Sequence, residues 1–471
     1  MSVIASSVSI IESTPAAIDW TAAGEEAVTL LRQYLRIRTP NDPEALSSDT
    51  REAEPWRAGY EASAARWLAG RLQAEGIDVE LLEGAPGRVN LVARLRGASR
   101  AGITLLSHSD VVPAKEGNWS HDPFDAETAD GFMYGRGALD LKGLGILHLM
   151  TLLLLARQRV LLHRDVVLLI VADEETGGKY GAEWLLTERP ELAATALVLG
   201  EGAHSVSGMA SQGRAIHAIA VGEKGYLELE LMTRSQGGHA SMPPGDNAPR
   251  CLIRALDRVL AMRRPIRLTP LSRILLQRLG QAAQGVHALL LRRPWLAVRF
   301  AARHITRSPL IAAMLQDSLA VTLLQAGEKS NVLPAQARAI LSIRLLPGTD
   351  EAELTRAIGA AAADPQVSIG TRMHKHANLS PFDTPAFQLI EHEILRADPQ
   401  SIVIPILSPA ASDCRFWRAK NVPAYGWIPF VIPVADLHRV HGVDERVPIA
   451  SFKQSLRVFY EAVRGLATSE V

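Results

Sequence analysis

Short apolar runs alternating with helical stretches constrain this chain more than any other feature. Between residues 78 and 202, "DVELLEG", "NLVARLRG", "GITLLSHSD", "DVVLLIVADEETGG" and "ATALVLGEG" follow one another, with helical segments among them, the clearest from Gly143 to Arg157. Upstream, "EEAVTLLRQYL" and "SAARWLAGRLQAEG" carry the spacing of amphipathic helices, split by a polar, Pro-containing loop, "RTPNDPEALSSDTREAEP". Strands in alternation with helices imply βαβ units and a largely parallel sheet covered on both faces.

The ends of those strands are chemically unusual. "ITLLS" runs into His108, "VVLLIVA" into Asp173, Glu174 and Glu175, and "TALVLG" into Glu201. Open α/β sheets bind ligands beyond the carboxyl ends of their strands, so these metal-competent side chains can converge on one crevice.

From about Lys224 the pattern changes to an alternating strand, a Gly-Gly-His turn and a helix. "SNVLPAQARAILSIRLLPGTD", the helical "EAELTRAIGAAAA" and the strand "QVSIGTRMH" come later. That order predicts a small α+β domain inserted in the first one, after which alternation resumes near Phe387 and ends in a helix to about Leu466. Between its halves, Arg250 to Arg307 holds thirteen arginines and one acidic residue, Asp257, interleaved with Leu, Ala, Trp295 and Phe300. Such a stretch reads as an insertion of helices with solvated or paired arginines, or as a basic amphipathic surface for a lipid-like substrate or an anionic membrane.

Composition narrows the class. At 471 residues, 47% hydrophobic and 21% charged with formal net charge zero, the chain is long enough for two or three domains of an ordinary soluble protein. Nothing global points to nucleic acid. Cys251 and Cys414 are the two cysteines, so there is no disulfide framework or paired thiolate site, and any metal falls to His and carboxylates. The first twenty residues lack the n-region and h-region of a secretory signal, which sets a cytoplasmic expectation. The apolar run Gly145 to Ala156 is too short for a bilayer and contains His148, which predicts a buried core helix.

Amide hydrolysis at neutral pH needs an activated water, a general base and a group that holds the developing oxyanion. Two metals sharing a bridging carboxylate supply the first and part of the third. The candidate ligands are His108, Asp140, Glu175, Glu201 and His441, a mixture that suits Zn²⁺, with Co²⁺ or Mn²⁺ as alternatives, over Mg²⁺ or Ca²⁺. "GRGALD" has Asp140 where a dinucleotide fingerprint needs its third Gly, and no G-x-S-x-G elbow exists. His121, His148, His163, His204 and His217 have no motif behind them and read as structural.

"SHSDVVP", "WSHDPF", "YGRGALDLKG", "DEETGG", "GEG", "GGHASMPP", "SNVLP", "RLLPGTD" and "HGVDERVP" stand in the order found in the dinuclear zinc aminoacylase and carboxypeptidase family. The chain resembles that family from about Glu25 to Gly465, and most closely its carboxypeptidase S branch, which includes the N-fatty-acyl amino acid synthase/hydrolase. The resemblance implies an α/β catalytic domain with a mostly parallel sheet (residues 1–223 and 379–471). It also implies an inserted α+β, ferredoxin-like lid and dimerisation domain (residues 224–378, with a helical insertion near 270–312).

It implies that Asp140 bridges two zinc ions, with His108 and Glu201 completing one site and Glu175 and His441 the other. Glu174 matches the family's general base, and Asp110 the carboxylate that orients the metal-binding histidine. His239 matches a residue that reaches into the other subunit's active site to stabilise the oxyanion. Asn331 and Arg344 match groups that meet the substrate carboxylate. "PAASDCR", with Ser412, Asp413 and Arg415, departs from the family's Gly-Thr-Asp-type turn. The reading is a homodimeric, metal-dependent amidohydrolase acting on a peptide or N-acyl amino acid. A non-catalytic relative of the same fold would have lost a ligand or Glu174, and none is lost.

Overall fold

Asp19 starts the first helix of the computed structural model, which describes residues 17–41, 61–114, 117–307, 309–408 and 410–469. Its carboxylate accepts from the Thr21 and Ala22 amides and so satisfies two of the orphan donors of α1 (Trp20–Leu35). Most of the polar loop from Arg38 to Pro55, together with residues 1–16, lies outside the described residues. The chain divides into two units, one comprising residues up to Glu175 together with His441 onward, the other Thr176–Val440.

In the first unit α2 (Glu61–Ala74) leads to the hairpin β1 (Val79–Ala85) and β2 (Arg88–Leu95), followed by β3 (Ser99–His108), the short β4 (Thr128–Ala129) and β5 (Phe132–Tyr134), α3 (Lys142–Arg157) and β6 (Arg164–Val171). Its sheet runs β1-β2-β6-β3. The β3–β6 pair is parallel, while β1–β2 and β2–β6 are antiparallel. In the parallel register His108 stands opposite Val171, and the Ser109 amide donates to the Val171 carbonyl at 2.9 Å. Two apolar strands therefore end at one level, and the polar residues after them start together.

Helix α3 is apolar on every side, and Lys142 to Leu155 are all buried, as a core helix requires. It packs on β3, β6, α1 and the chain's last helix. Among the described residues no helix is long and apolar enough to cross a membrane.

In the second unit α4 (Ala182–Glu188) precedes β7 (Thr195–Ser207) and β8 (Ile216–Glu223). The strand β9 (Gly225–Arg234) then opens a separate sheet. Its leucines alternate inward and its glutamates outward, the period-2 pattern of a strand with one buried face. After β10 (Gly238–His239) comes α5 (Ala248–Leu260), capped by Asn247. Four helices follow: α6 (Pro270–Ala282), α7 (Gly285–Leu291), α8 (Pro294–Ile305) and α9 (Pro309–Leu315). They share a small core of Leu276, Ala297, Ile305 and Leu315.

The sheet is completed by β11 (Ser318–Ala326), the short β12 (Val332–Leu333), β13 (Gln336–Leu345), α10 (Glu351–Ala362) and β14 (Val367–Lys375). Its order is β11-β13-β9-β14, antiparallel throughout. Leu227, Leu229 and Leu231 pack there with Leu252 and Leu256 of α5 and Ile358 of α10.

The chain returns through β15 (Asn378–Leu379), α11 (Pro385–Ala397), β16 (Ile402–Ser408), α12 (Cys414–Arg418) and β17 (Ala424–Pro433). Here β16 lies parallel to β8, and β17 parallel to β7. Gly426 permits the second pairing, because a Cβ there would meet the Glu201 carbonyl oxygen at 2.1 Å. Back in the first unit, β18 (Arg446–Pro448) pairs with β5, and α13 (Ile449–Thr468) is the last helix. The α/β class read from the alternation holds, with the antiparallel β1–β2–β6 edge and the unforeseen strands β8 and β16 added to it.

Candidate metal centre

Beyond the ends of β3 and β6 the first unit gathers His108, Asp110, Asp140, Glu174, Glu175 and His441. Asp140 is the hub. Its Oδ1 lies 3.1 Å from His108 Nε2, and its Oδ2 lies 3.0 Å from His441 Nε2. His441 Nε2 is also 3.2 Å from Glu175 Oε2. One oxygen of a carboxylate to each of two imidazoles is the layout of a bridging ligand. The donor set fits borderline divalent metals, and Glu175 Oε1 is buried without a hydrogen-bond partner, as an atom reserved for a cation would be.

The charges interlock. Burial alone would lower the pKa of His108, but hydrogen bonds to Asp110 and Asp140 hold it well above the usual value. Burial opposes ionisation of Asp140, and the two histidines overcome it and hold the carboxyl far below the usual range. Hydrogen bonds to Asp140 and Glu175 push His441 up to about 10. Burial raises Glu175, with His441 pulling against it. Protons thus balance the same carboxylates that a cation would.

Asp110 is fully buried behind His108. His108 Nδ1 lies 2.9 Å from the Asp110 carbonyl oxygen and 3.3 Å from its Oδ1. The same carboxylate accepts from the amides of Glu174 (3.2 Å) and Glu175 (3.1 Å) and from Asn41 Nδ2 (2.8 Å). It therefore orients an imidazole and the turn that carries both glutamates. Asn41 in turn accepts from Arg88, whose other nitrogen donates to buried Glu61 at 2.6 Å.

The loop carrying Asp140 is held from far along the chain. Glu445 is fully buried and accepts from the amides of Gly137 (3.0 Å), Leu139 (2.7 Å) and Asp140 (3.0 Å) and from Arg136 (2.7 Å). Gly137, at φ 89°, has no room for a side chain, since a Cβ would meet Val111 at 2.8 Å. His441 itself sits at φ 60°, a left-handed conformation uncommon for a residue with a side chain. Glu445 and Arg136 lie inside "HGVDERVP" and "GRGALD", and that place in matched motifs was the one signal the sequence offered for them. Asn41 had none, because it stands in an aperiodic loop.

In the second unit, half-buried Glu201 lies on β7. Exposed His239 is on the β10–β12 ribbon, its Nδ1 2.7 Å from Ser241 Oγ. Asn331 adjoins it, its carbonyl accepting from the Ala240 amide at 3.1 Å. Arg344 is at the other end of β13, its guanidinium 4.7 Å above the Tyr226 ring. It stands eight residue steps along β13 from Gln336 beside the ribbon, roughly 26 Å at ordinary strand rise, so one protomer does not bring Arg344 to His239 and Asn331. Ser412 donates to Glu223 at 2.7 Å and Arg415 to the Gly177 carbonyl at 2.8 Å, so both have structural employment. His438 Nδ1 meets the Ala435 carbonyl of its own turn.

An imidazole–carboxylate cluster at strand ends, with an adjacent glutamate, has the donor set of a metal-dependent hydrolase that activates water. The chain belongs to Peptidase family M20/M25/M40, whose sequence model matches residues 104–465. It is 27% identical over 370 residues to the probable carboxypeptidase S-like 2 of Dictyostelium discoideum, covering 77% of this chain and 71% of that one. It is 28% identical over 372 residues to the N-fatty-acyl-amino acid synthase/hydrolase PM20D1 of Homo sapiens, covering 78% and 74%. The fold matches that of the M20 metallo-carboxypeptidase Sso-CP2 from Sulfolobus solfataricus, with a TM-score of 0.68 at 18% identity, over 93% of this chain and 98% of that one. The protein is a hydrolytic enzyme acting on amide bonds.

Proposed function

We propose that the enzyme hydrolyses an amide next to a free carboxylate, in a peptide or an N-acyl amino acid, with two zinc ions per subunit. The observation that carries this is Asp140 facing His108 with one oxygen and His441 with the other. Asp140 would bridge, with His108 and Glu201 serving one ion and Glu175 and His441 the other. When bound, such ions supply Lewis acidity to the scissile carbonyl and acidify water at neutral pH.

The chain's own residues do the rest. Glu174, its amide fixed by Asp110, takes the proton from the attacking water and delivers it to the leaving amine. Asp110 keeps the His108 ring and tautomer in place. His239 donates to the developing oxyanion, and Asn331 and Arg344 take the substrate carboxylate.

The long gap between Arg344 and the His239–Asn331 ribbon supports a homodimer in which one protomer lends its ribbon to the partner's site, with residues 224–378 as lid and interface. The carboxypeptidase S-like and fatty-acyl relatives support, respectively, peptides and N-acyl amino acids as substrates. The test is release of free amine from a panel of both, by protein as purified, chelated and reloaded with Zn²⁺, Co²⁺ or Mn²⁺. Metal-restorable hydrolysis supports the reading; none across the panel, with metal bound, sinks it.

One observation favours a second reading, attachment to an anionic membrane. Trp295 is 64% and Phe300 69% exposed on α8, next to Arg293 and Arg299. Aromatic residues flanked by cations suit a lipid interface. Co-sedimentation with phosphatidylserine vesicles that weakens in high salt supports it, and equal recovery with neutral vesicles refutes it.

A further inference from the structure

We propose that Glu351, His374 and His376 form an additional transition-metal site, carried by the small antiparallel sheet and independent of the proposed catalytic metals. His374 and His376 stand two residues apart where β14 ends, a spacing that sends both side chains to the same side of a strand. Glu351 opens α10. It is free of capping duty, because Asp350 accepts from the Glu353 amide at 2.9 Å and caps the helix instead.

The three side chains offer one donor atom each, all within 4.8 Å of one another. Glu351 Oε1 is 2.5 Å from His374 Nε2 and 3.4 Å from His376 Nδ1. The imidazole rings meet edge to face, with centroids 4.2 Å apart. His374 Nε2 is shut off from solvent, yet its approach to Glu351 lacks hydrogen-bond alignment. A buried imidazole nitrogen beside a carboxylate, without a proper hydrogen bond, is a donor atom that a cation would satisfy once the two atoms move apart.

Donor atoms about 2.0–2.2 Å from a tetrahedral zinc stand about 3.4 Å from each other. The His376–Glu351 separation already has that value, and the His374–Glu351 pair must open by about 1 Å to reach the same spacing. His376, 85% exposed, can turn, and its side leaves the fourth position to water. Two imidazoles and one carboxylate select Zn²⁺, Ni²⁺ or Cu²⁺ over Mg²⁺ or Ca²⁺.

The location gives the site a consequence. Just after His376 the chain leaves the small sheet, and Asn378 pairs with Glu223 of β8. The other connection passes at Gly225, where a Cβ would meet the Lys375 carbonyl and the Ala377 amide at 2.9 Å. A cation here would fasten the start of α10 to the strand that leaves the sheet, at the point where both connections run side by side.

The test counts metal on the full chain, equilibrated with buffered free Zn²⁺ after the catalytic metals are loaded, for the wild type, His376→Ala, His374→Ala and Glu351→Gln. We expect the wild type to hold one more equivalent than each variant, or to hold its weakest equivalent at least about tenfold more tightly. Excess Zn²⁺ should also raise the Tm of the wild type more than that of His376→Ala, an exposed substitution that leaves the fold intact. Equal metal content, equal affinity and an equal Zn²⁺-dependent Tm in wild type and variants would overturn the proposal and leave Glu351–His374 as a plain ion pair.

Discussion

Asp110 divides its carboxylate between the His108 ring and the two amides of the Glu174–Glu175 turn. Asp110→Asn keeps the shape but replaces an oxygen with a donor that faces those amides. We expect metal retention to weaken by about 10–100-fold, measured by competition with a chromophoric chelator. Glu174→Gln would remove only the proposed proton carrier. Its metal content should match the wild type while turnover falls about 10²–10⁴-fold, read as kcat with metal counted in the same samples. The histidines add a pH dependence. In the metal-free protein His441 keeps its proton up to about pH 10, against an ordinary value of 6.5. Its contribution to stability is present below 6.5 and is lost as pH rises through 10, and a cation must displace that proton to bind. Calorimetry in buffers of different ionisation enthalpy at pH 7 should therefore show proton release on metal uptake, with affinity rising with pH; uptake without proton release would contradict the arrangement. These residues were legible because each closes an apolar strand or sits in an ordered motif. Asn41 and the Arg88–Glu61 pair behind Asp110 were not, since a buried polar network leaves no period in the sequence.

Helix α3 carries a different test. His148 is buried there with neither ring nitrogen hydrogen-bonded, its ring against Phe459 with centroids 5.1 Å apart. Burial lowers its pKa to about 3. The unfolded chain takes up a proton below about pH 6.5 and the folded one does not, so this residue removes stability as pH falls from 6.5 toward 3. At pH 4.5 the loss is about 2–3 kcal/mol. His148→Leu should flatten the acid limb of the stability curve between pH 4 and 6, followed by urea unfolding, and should keep or raise stability at pH 8, because it removes a buried imidazole whose nitrogens have no hydrogen-bond partner. At this scale the strands preceding the centre were plain from their apolar runs, as was α3. Strands β8 and β16 went unread although each is an apolar run, and their parallel pairing joins residues 216–223 to 402–408, which the sequence of the small sheet separates. Sequence periodicity reports local structure, and a pairing of that span leaves no local trace.

Two features act over the whole molecule. The first is the distance along β13 between Arg344 and the His239 ribbon, which, in the proposed homodimer, would make each site depend on two copies of the chain. Mixed under conditions that exchange subunits, Glu174→Gln and His239→Ala should together regain roughly a quarter of wild-type activity, since half the dimers are mixed and half their sites are whole. No recovery, with exchange shown by a tag, would place His239 in its own protomer's site. The second is Glu445, which holds the Gly137–Asp140 loop through three amides and Arg136. Glu445→Ala leaves Arg136 buried and unpaired and should cost about 3–5 kcal/mol in urea unfolding, with loss of bound metal. The reach of this grip was hidden in the sequence, because more than 300 residues separate the two motifs. It also sets an order of events on the ribosome. A nascent chain that has reached Val440 already carries Asp140, Glu175 and Glu201, but neither His441 nor the residue that shapes the Asp140 loop has yet been made. In the proposed centre such a chain would have carboxylates to attract cations and no finished cradle to choose among them, so selection of the metal would have to wait until the stretch from His441 onward has been made.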